Sequence, residues 1–110
     1  MSKLIIPAQV NKGAMKSYVE KSREILNQID DLLQDESISQ GKLLSLFLRH
    51  NAELRDLTQN SIRDWAMEWI RTGAKVSVVA SSIRMSWSGV KNWWSAYVEE
   101  HPEAQRTLRD

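Results

Sequence analysis

The sequence predicts an all-α protein of about five helices, and three observations predict it. Apolar residues recur at intervals of three and four through most of the chain, no Val/Ile/Thr alternation is long enough for a sheet, and only four glycines and two prolines interrupt 110 residues. That length supplies one hydrophobic core and is too short for a two-domain cofactor enzyme, while 42% hydrophobic and 26% charged residues make a folding composition. Fifteen Lys+Arg against fourteen Asp+Glu leave a net charge of +1, so any electrostatic argument about partners must be local. There is no cysteine, which excludes disulfides, zinc–thiolate sites and thiol nucleophiles and suits a reducing, cytoplasmic setting. The run Leu4-Ile5-Ile6 stops at Pro7, too short for a signal peptide or a membrane span, so no membrane partner is expected.

Residues 1–13 mix Lys3, Pro7, Asn11, Lys12 and Gly13 without helical period and are expected to form a flexible arm. Residues 14–57 form the next segment. From Ala14 to Leu33 the apolar residues define an amphipathic helix, within which Met15, Tyr18, Ser22, Ile25, Ile29 and Leu32 keep an alternating three-four spacing. Such a stripe either packs on its own domain or pairs two copies, making residues 14–57 the candidate dimerisation segment. A polar break at Asp35, Ser37, Ser39 and Gly41 precedes a second helix through Leu43, Leu46, Phe47, His50, Leu54 and Leu57. Thr58-Gln59-Asn60 is expected to end it, with Ser61 capping a third helix through Ile62, Trp65, Ala66, Trp69 and Ile70 to Thr72. Gly73 can close that helix in a left-handed conformation. Two more helices, about Ser77 to Ile83 and Ser86 to Glu99, complete a domain at 58–100, followed by a polar tail at 101–110.

The last two helices are joined by a demanding turn. Ser77 can cap the first, whose inner face is Val79, Ala80 and Ile83, with a small residue where two backbones approach. Met85 fills the corner, and Ser86 can cap a second helix whose Val90 and Trp93 point back at the same core. So tight a connection makes the helices cross steeply and leaves the outer face of the second one projecting, a shape that a major groove accepts.

These residues resemble the helix-turn-helix DNA-binding domains of homeodomain-like type found in bacterial and phage regulators, resolvases and transposases. The resemblance covers about residues 61–98. In that family a small residue, a turn residue four later, and apolar residues six and nine beyond the turn form the fingerprint; Ala80, Arg84, Val90 and Trp93 occupy those places, and three of the four agree. Arg84 departs from the family's glycine, preferred because the turn needs positive φ at a cost of roughly 1 kcal/mol to other residues. A eukaryotic homeodomain is excluded, since Ala96 stands where those proteins keep an adenine-reading Asn and no basic run follows.

Local charge agrees with the resemblance. The thirty residues between Glu68 and Glu99 contain no acid and include Arg71, Lys75, Arg84 and Lys91. In the docked geometry that the resemblance implies, Ser86, Trp87, Ser88, Lys91, Asn92 and Ser95 face the groove. There Asn92 can bond adenine, Lys91 can reach guanine or phosphate, and the serines can meet base edges or phosphates at the helix N-terminus. Arg71, Lys75 and Arg84 would fix the domain to phosphates. Trp65, Trp69 and Trp93 read as core, whereas Trp87 can contact DNA and Trp94 can pack on a neighbour or partner. Gly89 either lets backbone approach DNA or marks a packing contact.

No enzyme is expected. His50 and His101 lack a second ligand at metal spacing, the glycines form no phosphate-cradling loop, and acid pairs such as Asp30-Asp31 read as exposed helix charge. Neither metal nor cofactor is implied. The expected function is sequence-specific binding of double-stranded DNA, as a small transcriptional regulator acting as a homodimer through its N-terminal helices. Two readings compete: a protein-interaction module anchored by exposed Trp87 and Trp94, and an accessory factor in recombination, replication or packaging.

Overall fold

A computed structural model describes residues 11–104 and 108. Among them are four helices, α1 (Lys12–Gln34), α2 (Gln40–Arg71), α3 (Val76–Ile83) and α4 (Trp87–Glu100), a 3-10 turn at Pro102–Ala104, and no strand. Residues 1–10 of the expected arm lie outside the described residues, and Lys12 and Gly13 belong to α1. No helix among the described residues is long and apolar enough to cross a membrane.

The count of about five helices is corrected to four, because no break occurs at Thr58-Gln59-Asn60 and α2 runs unbroken to Arg71. Each of those three residues disfavours a helix by less than about 1 kcal/mol, and without Gly or Pro the cooperative propagation of the helix carries through. The chain nevertheless divides into two compact units, one of Asn11–Ser61 and one containing Ile62 onward.

In the first unit Asn11 caps α1, its Oδ1 accepting from the Ala14 N–H at 3.0 Å. Asp35 ends the helix, and its carboxylate accepts from the N–H and hydroxyl of Ser37 at 3.0 and 2.6 Å. The hydroxyl and then the backbone N–H hold Asp35 below the usual carboxylate range. Ser39 starts α2 by accepting from Lys42 N–H through its hydroxyl at 3.3 Å and from Leu43 N–H through its carbonyl at 2.8 Å. Gly41, expected in the break, is inside the helix.

Tyr18 and Thr58, forty residues apart in sequence, share a hydroxyl–hydroxyl bond of 3.2 Å, which sets α1 antiparallel to the first part of α2. The three-four stripe of α1 is the inner face of this hairpin: Tyr18, Ser22, Ile25 and Leu32 are half-buried and Ile29 is buried, while Met15 stays exposed. Ser22 Oγ is sealed in that seam without a hydrogen-bond partner. His50 is held by Glu53 at 3.3 Å one turn on.

The second unit is built around a dry cluster. Met67 and Ile70 of α2, Val76, Val79 and Ala80 of α3, Val90 and Trp94 of α4, and Ala104 are buried together, with Ile83, Met85, Trp93, Tyr97, Val98 and Leu108 packed against them. Ala104 and Leu108 therefore belong to the fold although they lie in the expected polar tail. Trp94 is 4% exposed, which corrects its reading as a surface anchor: four residues after Val90 it returns to the core side of α4, and Trp93 lies at the margin. Trp69, read as core, is 42% exposed.

Candidate nucleic-acid interface

Two glycine-type helix ends frame the site. At the end of α2, Gly73 has φ 112°, and the N–H groups of Gly73 and Ala74 donate to the carbonyls of Ile70 and Trp69 at 2.9 and 3.2 Å. At the end of α3 the same pattern is made by a non-glycine residue. Arg84 sits at φ 58°, ψ 44°, with Arg84 N–H donating to Ser81 O at 3.3 Å and Met85 N–H to Ala80 O at 3.0 Å. The fingerprint position where glycine is preferred thus has the left-handed backbone that glycine would supply. Met85 tucks onto the core from this corner.

Ser86 follows in extended conformation and caps α4, its hydroxyl accepting from Gly89 N–H at 3.0 Å. A Cβ on residue 89 would lie 3.0 Å from that hydroxyl and 3.1 Å from the Met85 methyl, so Gly89 makes room for the cap and the corner. Ser77 does not cap α3; the cap position is Lys75, whose side chain makes no capping bond. Lys75 instead accepts through its carbonyl from Val78 and Val79 N–H, at 3.1 Å each.

With Val90 and Trp94 turned into the core, Ser88, Asn92 and Ser95 lie on the opposite side of α4, and Trp87 and Lys91 flank the core-facing side. Ser86, Trp87, Ser88, Asn92 and Ser95 are exposed and Lys91 is half-buried. The Lys91 ammonium lies 4.3 Å from the centre of the Trp87 ring, a cation–π pair that orients both side chains. Ser95 donates back to Lys91 O at 3.1 Å, and the Ser86 and Ser88 hydroxyls are 3.4 Å apart. Arg84 and Lys75 are exposed at the two ends of α3.

Arg71 differs from the other bases. Its Nη1 donates to the Tyr97 hydroxyl at 3.0 Å and its Nη2 lies 3.7 Å from Glu103. The Tyr97 bond is the main cause of a pKa raised above the ordinary guanidinium value, with Glu68 and Glu103 adding to it. Tyr97 in turn stacks between Trp94 and His101, at 5.4 and 4.2 Å between ring centres, and His101 Nδ1 lies 3.1 Å from Tyr97 O. Sequence reasoning missed this arrangement, because the twenty-six residues between Arg71 and Tyr97 leave no local spacing that would join them.

Comparison of the chain with protein-family models, with curated proteins and with solved structures finds no match, so the chemistry of the site is read from its own residues.

Proposed function

We propose that the protein binds duplex DNA through the exposed face of α4, as a helix-turn-helix, and acts as a small cytoplasmic regulator of transcription. One observation supports this most: the acid-free stretch between Glu68 and Glu99 has Ser88, Asn92 and Ser95 exposed along one face of α4, shortly after a left-handed turn at Arg84. Lys91, oriented over Trp87, and the neighbouring Asn92 offer donors and an acceptor to base edges, while Ser86 and Ser88 offer hydroxyls at the positive end of the helix. Arg84 and Lys75 contact phosphates. Arg71, tied to Tyr97 and Glu103, buttresses α4 and supplies less external charge than its formal unit. So few phosphate contacts give modest affinity to one copy, and two copies pairing through the N-terminal helices would raise it.

Fluorescence anisotropy on duplexes selected from random sequence tests the reading. Affinity should fall steeply with salt, and Lys91→Ala and Asn92→Ala should each weaken binding to the selected site by about 1–3 kcal/mol for every base the side chain reads. Unchanged affinity in both variants removes the proposed face. A second reading draws on the exposure of Trp69, Val78 and Trp87, each between 42% and 45%, as anchors for a protein partner. Its binding would be nearly indifferent to salt.

A further inference from the structure

The unit of residues 11–61 leaves part of its apolar surface outside, beside the inner face of the hairpin. Ile29 is its one buried apolar residue, while Val19, Leu26, Leu33, Leu44 and Leu48 are 46% to 59% exposed. Val19, Leu26 and Leu33 are spaced by seven, so they form a straight stripe on α1, alongside the inner face that meets α2. Leu33 and Leu44 line the same groove, together with Leu43 and Phe47, so the stripe continues from α1 onto α2. These five side chains leave on the order of 500 Å² of apolar surface in water, and pairing two such faces would bury on the order of 1,000 Å², the threshold of a specific interface.

Charge says what covers the stripe. Residues 12–24 of α1 contain Lys12, Lys16, Lys21 and Arg23 against Glu20 and Glu24, whereas residues 25–34 contain Asp30 and Asp31 and no base, and Asp35 and Glu36 follow directly at its end. A helix that is basic in its first half and acidic in its second is complementary to itself run backwards, and repels itself when parallel. Leu26 lies midway between Val19 and Leu33.

We propose that two copies of the chain pair through this face with their α1 helices antiparallel and the two-fold axis at Leu26. Leu26 then meets its own copy, Val19 meets the partner's Leu33, and Arg23, three residues before the axis, faces the partner's Asp30, four residues beyond it. The inference deepens the dimer in the proposed function and does not depend on DNA binding.

The chain has no cysteine of its own, so single introduced thiols report the register in the full-length protein. On mild oxidation Leu26→Cys should become a covalent dimer. Val19→Cys alone should not, because two copies of residue 19 would be fourteen residues apart along the helices, ~21 Å, against a disulfide limit of about 7 Å between Cα atoms. An equimolar mixture of Val19→Cys and Leu33→Cys should crosslink at least tenfold more than either alone. Arg23→Asp and Asp30→Arg should each weaken self-association about tenfold, and mixing them should restore it as a heterodimer. A single-chain mass of 12.7 kDa for the unaltered protein at tens of micromolar, or self-crosslinking of Val19→Cys, overturns the proposal. Oxidation and sedimentation are read without DNA, so this register can fail while DNA binding stands, or the reverse.

Discussion

The two units of this chain solve the problem of a small core in opposite ways. From Ile62 onward, Met67, Ile70, Val76, Val79 and Val90 are at most 1% exposed, which closes a dry centre around three helices in fewer than fifty residues. In the hairpin of residues 11–61 only Ile29 is buried, at 8% exposure, and leucines such as Leu33 and Leu44 stand 59% exposed. Two helices alone cannot surround anything, and each has a second apolar stripe that its one neighbour leaves uncovered. The first arrangement is stabilised by burial within the chain; the second leaves an apolar stripe in water, the face on which the proposed pairing of two copies rests.

Substituting a core residue of the second unit tests this contrast hardest. Trp94→Ala should cost about 3–5 kcal/mol in chemical unfolding; a loss near zero would mean that Trp94 is a surface residue and that the closed core is wrong. In the hairpin the informative change is an improvement. Ser22→Ala removes a buried hydroxyl that lacks a partner and should raise the stability of residues 11–61 by about 1–2 kcal/mol, read by hydrogen exchange at α1 amides.

Arg84→Gly should stabilise the second unit by about 1 kcal/mol, since the left-handed backbone there costs an arginine what glycine is spared. If Arg84 also contacts phosphate, the same variant should lose about one unit of the salt dependence of DNA affinity, so that stability and binding move in opposite directions. The smallest effect lies at the hairpin connection. Because Asp35 has a lowered pKa in the folded chain, its stabilisation is present above the unfolded value and disappears as pH falls through the folded one. Carboxyl chemical shifts should show Asp35 titrating below the ordinary aspartate range, and Ser37→Ala, which removes the hydroxyl donor, should raise it.

Much of the candidate site was legible because its signals are local. A cap is read from a serine before a helix, as at Ser86; a helix end from a glycine, as at Gly73; and the turn at Arg84 from its distance to Ala80 and Val90. Each involves bonds spanning fewer than six residues. The break expected at residues 58–60 failed for a related reason. Thr, Gln and Asn are only weakly unfavourable in a helix, and a mild local preference gives way where the flanking turns are already formed. Trp93 and Trp94 were exchanged because adjacent residues of a helix differ by 100° and both can approach a core whose position the periodicity does not give. No spacing links Arg71 to Tyr97 or brings Ala104 and Leu108 onto the cluster.

Taken alone, the amino-acid order determined that this protein is helical, that α3 ends in a left-handed residue just before a serine-capped α4, and that positive charge gathers there. Tertiary structure decided which tryptophan is buried, that Arg71 is held by Tyr97 and Glu103, and that α1 keeps an apolar stripe beyond the one it turns to α2. The physical reason is range. Caps and periodicity are set by backbone bonds between near neighbours, whereas burial depends on where residues far apart in the chain come to rest.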